Sequence, residues 1–379
     1  MELLNCNTLK EILHQPEMWE ETFAIVNKQR KQLGDFFKKQ ISVPGTEIIF
    51  TGAGTSAFVA DIATALYTRL GLTNTRSVPT TDIVSSPDYC LTAGRKLVVS
   101  FARSGDSPES VAAYNIVRKV CPGSSHLVIT CNPNGYLARI ADPDTDYALI
   151  LPDGTNDRSL AMTSSFSSML LASLLVRGTD TLEEEGKKLG EAIRFARRLL
   201  QEDSLEKLQS LTGRNVSRAV FLGSGPLKGV ACECHLKLQE LTDGAIMCSY
   251  DSFMGLRHGP KAVIKDNTLV VYLLSDKPYT RQYELDLIRQ VGLQHRPAGQ
   301  VIVSTVPSGY DGERIDFELN AGPSEALPAA GPYRYIPYVI VGQLLGYFFS
   351  VAHGLSPDNP SVSHTISRVV SGVHIYEFA

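Results

Sequence analysis

Short apolar runs that alternate with helical patterns constrain the fold of this chain more than any other feature of its sequence. In the N-terminal half, four such runs predict buried strands, at residues 47–50, 97–101, 126–131 and 147–151. Helical patterns separate or follow them, at 55–70, 108–120 and 162–175. Strands that alternate with helices in this way form a parallel sheet with helices on both faces. The sequence therefore predicts an α/β fold with a doubly wound parallel sheet, a flavodoxin- or Rossmann-like three-layer sandwich.

The pattern starts again in the C-terminal half, which predicts a second α/β domain in tandem. Strands are expected at 218–221, 268–274 and 301–306, and helices at 226–241, 279–291 and 335–352. FTGAGTS, from residue 50, and FLGSGPL, from residue 221, both place Gly-x-Gly after a strand. The distance along the chain between these two turns is nearly the same as that between LVVSFARSGDS, from residue 97, and LVVYLLSDKPY, from residue 269. Two markers at one spacing favour duplication of a whole unit; chance similarity between two buried strands is the alternative.

These patterns divide the chain into five expected parts: a helical arm at 1–40, a first domain at 41–180, a connecting helix at 181–204, a second domain at 205–354 and a tail at 355–379. The connecting segment is amphipathic and charged, which is typical of a surface helix. The tail residues Val362, Ile366, Val369 and Val370 predict that the tail packs down on the protein. A packed tail can close a site against water.

Composition limits the classes of partner that the protein can have. The 379 residues exceed one ordinary domain, and 43% apolar with 20% charged residues is typical of a soluble globular protein. The net charge of −4 argues against general nucleic-acid binding. The sequence has no run of 18 apolar residues and no signal-peptide pattern at its start. We therefore expect a cytoplasmic protein with no nucleic-acid and no membrane partner.

The cysteines and histidines give no sign of a disulfide framework or a metal site. Seven cysteines form an odd and scattered set, at positions 6, 90, 121, 131, 232, 234 and 248. Several lie in apolar runs, as buried free thiols do, and free thiols fit a reducing cytoplasm. The eight histidines form no metal-binding motif. Neither a metal nor another cofactor is predicted.

The loop after the strand at 97–101 has the composition of a phosphate site. Its sequence, ARSGDSP from residue 102, combines glycine with hydroxyl side chains. Pro108 suits the first turn of a helix, with Ser107 as its cap. Backbone N–H groups and hydroxyls at a helix N-terminus can hold a phosphate without a metal ion or a P-loop lysine. The alternative is an ordinary strand–turn–helix joint with a capping serine.

The turn GAGTSA, from residue 52, fits the dinucleotide fingerprint GxGxxA. That motif also needs an acid at the end of the second strand, about 20 residues on, where this chain reads RSVPTTDIV with Asp82 late in the run. A nicotinamide-dependent oxidoreductase is therefore disfavoured. We expect Thr55 and Ser56 to offer their hydroxyls to a small ligand instead. The alternative is a turn that only lets strand and helix pack closely.

Two further segments carry residues that can transfer protons. Glu233, Lys237 and Glu240 follow i, i+4, i+7 spacing on the predicted helix 226–241 and therefore share one face. A solvated Glu–Lys pair is the simpler reading, but this helix starts at the second Gly-x-Gly turn, where open α/β sheets place ligands. His258, in the irregular segment RHGP, could protonate a ring oxygen near neutral pH, or could be a structural histidine bonded to backbone.

Together these segments resemble the sugar isomerase (SIS) domain family. Its members hold a sugar phosphate with a Ser/Thr-rich loop at a strand end and carry a helix of the form ExxLKLxE followed by HGP. This chain has ARSGDS, ECHLKLQE and HGP in that order. It also resembles the isomerase half of glucosamine-6-phosphate synthase. It is still more similar to the galactosamine-6-phosphate deaminase/isomerase family, also called tagatose-6-phosphate ketose/aldose isomerase, in FTGAGTSAF, SFARSGDSPESVAA, AMTSS, HGPK, PYTRQYELDL and SRVVSGV.

The resemblance covers nearly the whole chain and implies which residues bind the substrate. Ser56, Ser104 and Ser107 correspond to the hydroxyls that hold the phosphate. The backbone of Arg103 adjoins them, and Thr55 corresponds to a sugar-contacting position.

The resemblance also implies catalytic roles. Glu240 corresponds to the glutamate that moves a proton between C1 and C2 of the sugar, and Lys237 and Glu233 to residues that support it. His258 corresponds to the ring-opening histidine, which in such proteins can come from the neighbouring subunit.

The chain departs from the family pattern at two places. Ala102 stands where the usual SRSGET-like loop has its first serine, so one phosphate donor is missing or replaced. The Schiff-base lysine of the synthase has no lysine counterpart in the tail, where His364 and Thr365 occupy that neighbourhood. His364 is kept as a candidate substrate contact. Because no glutaminase domain is present either, the resemblance implies release of ammonia rather than its transfer.

We therefore expect a deaminating isomerase that converts D-galactosamine 6-phosphate to tagatose 6-phosphate and ammonia, without a cofactor, as a homodimer or higher homo-oligomer. One alternative is a tagatose-6-phosphate ketose/aldose isomerase that does not deaminate. Another is a non-catalytic SIS protein that binds a sugar phosphate, against which the retained Glu240 and His258 count. The sequence leaves the choice between galacto and gluco substrates open.

Overall fold

The computed structural model describes residues 5–322, 327–370 and 372–378 and contains two five-stranded parallel sheets. The chain divides into two compact units. The first unit carries the first sheet and comprises Glu17–Arg158, Met162–Gly186 and Ile366–Ala379. The second unit carries the second sheet and comprises Met1–Pro16, Ser159–Ala161 and Lys187–Thr365.

The two sheets have the same topology. The first contains β1 (Glu47–Thr51), β2 (Thr75–Ser77), β3 (Lys96–Ala102), β4 (Ser125–Thr130) and β5 (Tyr147–Ile150), in the order β2-β1-β3-β4-β5. The second contains β6 (Arg218–Gly223), β7 (Met247–Asp251), β8 (Thr268–Leu273), β9 (Gly299–Ser304) and β10 (Phe317–Asn320), in the order β7-β6-β8-β9-β10. Both orders read 2-1-3-4-5, that of flavodoxin-like folds. The shared order confirms the predicted tandem of doubly wound α/β domains.

Helices connect the strands in both units. In chain order they are α1 (Asn7–Leu13), α2 (Gln15–Lys28), α3 (Arg30–Ile41), α4 (Thr55–Arg69), α5 (Thr80–Ser85), α6 (Pro87–Cys90), α7 (Pro108–Val120), α8 (Tyr136–Ile140), α9 (Ser164–Arg177), α10 (Leu182–Leu199), α11 (Glu202–Ser210), α12 (Pro226–Leu241), α13 (Phe253–Leu256), α14 (Pro278–Gln294) and α15 (Val339–Ala352). Short 3₁₀ segments occur at Asp153–Thr155, Thr179–Thr181, Leu211–Gly213, Pro260–Val263 and Leu327–Tyr338.

The two Gly-x-Gly turns have the same backbone conformation. Gly54 has φ 55° and ψ −126°, and Gly225 has φ 58° and ψ −128°, a region that residues with a Cβ rarely adopt. A Cβ on Gly52 would lie 2.5 Å from Cβ of Ser56, and one on Gly223 would lie 2.2 Å from the carbonyl oxygen of Leu227. Each turn therefore needs glycine both for its conformation and for the close approach of the following helix.

The central strands are buried along their whole length, as expected for parallel sheets with helices on both faces. Matching apolar clusters hold a helix against each sheet, with Ile49, Val98 and Val117 in the first unit and Val220, Val270 and Leu287 in the second. Burial of each such side chain is worth about 1.5–3 kcal/mol. The sheet geometry thus fixes the loops at the strand ends, where the candidate residues lie.

The sequence patterns missed three strands and misplaced two helix boundaries. β2, β7 and β10 have partly exposed residues, so no continuous apolar run marks them. The helix expected at 335–352 begins at Val339, after a 3₁₀ segment that contains Pro332 and Pro337. The helix expected at 181–204 is two helices, α10 and α11.

One helical stretch, Ala330–Ala352, is long and apolar enough to cross a membrane by length and composition alone. Within its most apolar window, 89% of the residues are buried inside the protein. The stretch therefore has the burial of a core helix.

The four apolar tail residues that were expected to pack down are exposed, although Phe378 near the end of the tail packs against the apolar cluster of the first unit. Val362, Ile366, Val369 and Val370 are 72%, 38%, 37% and 55% exposed, so the expectation that these side chains pack down is wrong. The tail backbone is anchored instead, because Arg103 Nη2 donates to the carbonyl oxygen of residue 368 at 2.5 Å. At residue 368 the tail is thus held by hydrogen bonds and not by the apolar side chains beside it.

Candidate active site

The predicted phosphate loop lies between β3 and α7 and is held by a second loop of the first unit. Gly105 has φ 72°, which a side chain would disfavour. Asn132 Nδ2 donates to the carbonyl oxygen of Ser104 at 2.9 Å. A Cβ on Gly135 would lie 2.3 Å from that same oxygen, so the two loops need glycine to approach each other. The loop is therefore positioned by the segment that follows β4.

The serine hydroxyls of this loop make short local hydrogen bonds. Ser104 Oγ accepts from the backbone N–H of Asp106 at 3.3 Å, and Ser107 Oγ donates to Ser110 Oγ at 2.6 Å. Ser107 stands at the N-cap position of α7, as predicted, but its hydroxyl makes no capping bond to the helix backbone. Both hydroxyls are therefore left near the helix N-terminus, where the helix dipole favours an anion.

A cavity of about 120 Å³ opens beside this loop. Its polar lining comes from Ser56, Arg103, Ser104, Ser107, Ser110 and Arg368. Four of the predicted substrate-binding residues thus meet at one place in the first unit. Thr55 is buried at the start of α4 and does not line the cavity.

The sequence patterns missed Ser110 and Arg368. Ser110 lies one turn into α7, at i+3 from Ser107, so helical spacing alone could have placed it on the same face. Arg368 lies in the tail segment SRVVSGV, where a single cation among apolar residues was the available signal. Its Nε donates to the carbonyl oxygen of Asp157 at 2.9 Å, and its Nη2 donates to Asn156 Oδ1 at 2.9 Å.

The predicted Glu–Lys–Glu face of α12 is an ion-pair cluster in the second unit. Lys237 Nζ lies 2.6 Å from Glu240 Oε2 and 3.4 Å from Glu233 Oε1. The side chains of Lys237 and Glu233 are 1% and 0% exposed, whereas that of Glu240 is 24% exposed. A buried lysine between two carboxylates orients both of them. Glu240 is thus the member of the cluster that a solute can reach.

Close helix packing fixes this cluster. A Cβ on Gly342 of α15 would lie 2.5 Å from Cβ of Cys234, and one on Gly346 would lie 2.8 Å from the carbonyl oxygen of Lys237. Because two glycines let α15 approach α12 this closely, the lysine backbone is held between well-packed elements.

The two candidate histidines of the second unit are exposed. His258 follows α13, and its backbone N–H donates to the carbonyl oxygen of Gly255 at 3.0 Å. His364 lies in an exposed turn with φ 57°, and its N–H donates to Ser361 O at 3.3 Å. Both imidazole rings are therefore accessible to solvent or to a partner.

The cysteines are free thiols, as the sequence predicted. Burial raises the pKa of Cys131 to about 12, against a smaller lowering effect of its hydrogen bond with Thr155. Within residues 5–322, 327–370 and 372–378, no three His, Cys, Asp or Glu side chains form a group that could hold a metal ion.

Comparison with known proteins gives a family that agrees with this geometry. Residues 42–176 match the SIS domain model. AgaS of Streptomyces coelicolor is 39% identical over 98% of this chain and 95% of its own length. The D-galactosamine-6-phosphate deaminase AgaS of Escherichia coli is 36% identical over 97% and 95%. The crystal structure of tagatose-6-phosphate ketose/aldose isomerase from Escherichia coli is 34% identical with a TM-score of 0.86, covering 99% of this chain and 97% of that one.

The fold and the serine-lined loop define a protein with tandem SIS-type domains, of the class that includes phosphosugar isomerases. Within this class, the chain is 36–39% identical to the two AgaS proteins over nearly its full length and theirs. The chain belongs to the AgaS family.

Proposed function

We propose that the protein is a deaminating isomerase that converts D-galactosamine 6-phosphate to tagatose 6-phosphate and ammonia. The observation that carries the proposal is the similarity to AgaS deaminases over 97–98% of the chain. The cavity of the first unit and the Glu240–Lys237 pair of the second supply the two kinds of group that this chemistry needs.

The phosphate binds at the loop between β3 and α7. Ser56, Ser104 and Ser107 contribute hydroxyls, and the N-terminus of α7 contributes its dipole. Binding energy from this remote group orients the reacting carbons, which is how part of the barrier is overcome. Thr55 contacts the sugar in the same proposal, and the tail, with His364, closes over the substrate.

Glu240 transfers the proton. After His258 assists ring opening, the open-chain sugar has an aldehyde at C1 and an amine at C2. Glu240 removes the C2 proton and returns it to C1, while O1 gains a proton and the amino nitrogen loses one, which gives a hydroxyl at C1 and an imine at C2. Water then adds to the imine carbon, and ammonia leaves as the C2 ketone forms. Lys237 and Glu233 keep the Glu240 carboxylate in place.

The exposure of His258 supports a site that is completed in an oligomer. Its ring is solvent-accessible in the single chain, as expected for a residue offered to a neighbouring subunit. We propose a cytoplasmic homodimer or higher homo-oligomer. Sedimentation at micromolar concentration measures this directly, and a monomer as the sole species would contradict it.

A tagatose-6-phosphate ketose/aldose isomerase without deamination is the second candidate. Its support is the 34% identical structure of that name. The proton transfer would be the same, but the group at C2 would be a hydroxyl and no ammonia would form.

Ammonia release from galactosamine 6-phosphate, run beside glucosamine 6-phosphate, tests the proposal. We expect fast release from the galacto sugar. Preference for the gluco sugar would keep the mechanism and change the substrate. Conversion of tagatose 6-phosphate to its aldose isomer, with no ammonia from either amino sugar, would favour the second candidate.

A further inference from the structure

The tail residue Arg368 lines the same cavity as the predicted phosphate serines, although no sequence pattern gave it a role. Its backbone and its side chain form hydrogen bonds with different parts of the first unit. Arg103 donates to its carbonyl oxygen, while its own guanidinium donates to Asn156 Oδ1 and to the carbonyl oxygen of Asp157. Arg368 is therefore placed at the cavity by three hydrogen-bonding groups.

The anchor of this guanidinium is rigid. The carboxylate of Asp157 is fully buried and accepts hydrogen bonds from both the backbone N–H and the hydroxyl of Thr163, Ser164 and Ser165, at 2.5–3.1 Å. These six bonds satisfy donors at the start of α9. Because the aspartate cannot move without breaking them, its carbonyl oxygen holds the arginine in one position.

Within the described part of the chain, the guanidinium of Arg368 donates hydrogen bonds to neutral oxygens only. Both oxygens that accept from its guanidinium, a carbonyl and a side-chain amide, are neutral. Among the residues that the structure describes, Arg368 makes no salt bridge with a carboxylate. A second cation, Arg103, lines the same cavity and is almost fully buried. Partly buried cations beside serine hydroxyls form a site that favours an anion.

The cavity also has room for a tetrahedral anion. A water-sized group needs on the order of 10–15 Å³ of such space, so the cavity of about 120 Å³ accommodates several. The neutral side chain of Ala102 lines the same cavity, at the position where a further hydroxyl was expected. A guanidinium that lines the same cavity can supply the missing donor.

We propose that Arg368 is a substrate-binding residue, which the tail adds to the phosphate site so that its guanidinium donates a charge-assisted hydrogen bond to the substrate phosphate. The inference rests on the proposed function in that the phosphate belongs to a sugar phosphate. The tail is thereby a part of the binding site as well as a cover for it.

Binding of inorganic phosphate to Arg368→Gln, Arg368→Lys and the wild type tests this inference. We expect Arg368→Gln to weaken phosphate binding about 10- to 100-fold, the range for a hydrogen bond to a charged group. The KM for the sugar phosphate should rise by a similar factor. Arg368→Lys should lose less, since the charge remains while the planar fork is lost. Isothermal titration and inhibition of turnover both measure the effect.

Arg177→Gln is the matched control. Arg177 also belongs to the first unit and donates to a backbone carbonyl, that of Leu70 at 2.9 Å, but it does not line the cavity. Its phosphate affinity should equal that of the wild type. Wild-type phosphate affinity in Arg368→Gln would overturn the inference. Equal losses of phosphate affinity in Arg368→Gln and Arg368→Lys, with a lowered melting temperature of both variants in the absence of phosphate, would assign Arg368 a purely structural role. This result would also overturn the inference.

The same experiment separates this inference from the proposed function. If the wild type binds phosphate through Arg368 but releases no ammonia from galactosamine 6-phosphate, the proposed function fails and the inference stands. If ammonia is released with an unchanged KM in Arg368→Gln, the inference fails and the function stands.

Discussion

The two repeats share one backbone plan, but the loops after their central strands are filled differently. In the first unit, the loop after β3 borders a cavity lined by hydroxyls and two arginines. In the second unit, the loop after β8 is bonded to the protein's own carboxylate, because the N–H of Ser275 donates to Glu284 Oε2 at 2.9 Å. With the marker segments aligned at residues 97 and 269, Ser275 corresponds to Arg103. The second repeat thus has an internal anion where the first has space for an external one.

The residues after the two Gly-x-Gly turns also differ, with a polar side chain at the cavity in the first unit and an apolar side chain in the core of the second. After the turn of the first unit come Thr55 and Ser56, and Ser56 lines the cavity. At the matching positions of the second unit stand Pro226 and Leu227, and Leu227 is fully buried in the apolar core. The two units therefore share the conformation of the turn but differ in its side chains: the first unit has a hydroxyl that lines the cavity, and the second carries the ion-pair cluster of α12.

The largest effect is expected from Glu240→Gln, which tests whether α12 serves chemistry rather than binding. Ammonia release should fall about 10²- to 10⁴-fold, the usual contribution of a general acid–base group. Phosphate inhibition should stay within about threefold of the wild type, because the serines that line the cavity of the first unit are unchanged. Steady-state kinetics with inorganic phosphate as inhibitor separates the two quantities.

Glu206→Gln is the control for this change, since Glu206 is an exposed glutamate on α11 of the same unit. Near-normal turnover of Glu240→Gln would remove Glu240 from the mechanism. A loss confined to phosphate affinity would place its role in binding and break the assignment of chemistry to the second repeat.

A smaller effect is expected from Ser104→Ala, with Ser275→Ala as its control, because Ser275 makes the same kind of local contact in the loop after β8. Each hydroxyl accepts the backbone N–H two residues on, from Asp106 at 3.3 Å and from Lys277 at 3.1 Å. The two substitutions thus remove the same local turn contact. Only Ser104 lines the cavity, so only Ser104→Ala should weaken inorganic phosphate inhibition, by about tenfold. Equal weakening by both variants would contradict the proposed difference between the loops.

The sequence predicted those parts of the fold and the site that depend on neighbours along the chain. Buried central strands, glycine turns and the shared face of Glu233, Lys237 and Glu240 follow from local periodicity. The edge strands β2, β7 and β10 could not be predicted from periodicity, because these partly exposed strands lack a continuous apolar run. Their existence depends on pairing with a neighbouring strand.

The contribution of Arg368 could not be predicted for a related reason. It meets Arg103 across 265 positions of sequence, and no local pattern encodes such a contact. The tail valines show the converse error, because their apolar side chains predicted packing, whereas the structure leaves them exposed and holds the neighbouring Arg368 by hydrogen bonds. Long-range hydrogen bonds are decided by the folded backbone, which the periodicity of one segment does not reveal.

The smallest effect is expected from Glu284→Gln, which tests whether the second loop holds a titrating anion. Burial raises the pKa of this carboxyl above its usual 4.5, against lowering effects from the Ser224 hydroxyl and the N–H of Ser275. A carboxyl with a raised folded-state pKa loses stability as pH rises from the unfolded value through the folded one. Glutamine does not titrate. The free energy of unfolding of the variant should therefore increase relative to the wild type across this window and stay at a constant difference above it.

Urea unfolding of both proteins at pH values from 4 to 8 measures this difference. Loss of a hydrogen bond in the variant would change the free energy of unfolding by the same amount at every pH. The slope of the free energy of unfolding against pH therefore depends only on the charge of Glu284. Asp286→Asn, an exposed acid on the same helix, is the control. Parallel stability curves for Glu284→Gln and the wild type would show that burial does not disfavour the charge of Glu284. The loop after β8 would then provide no special environment for the carboxylate, and the contrast between the two repeats would rest on the serines and arginines of the first unit alone.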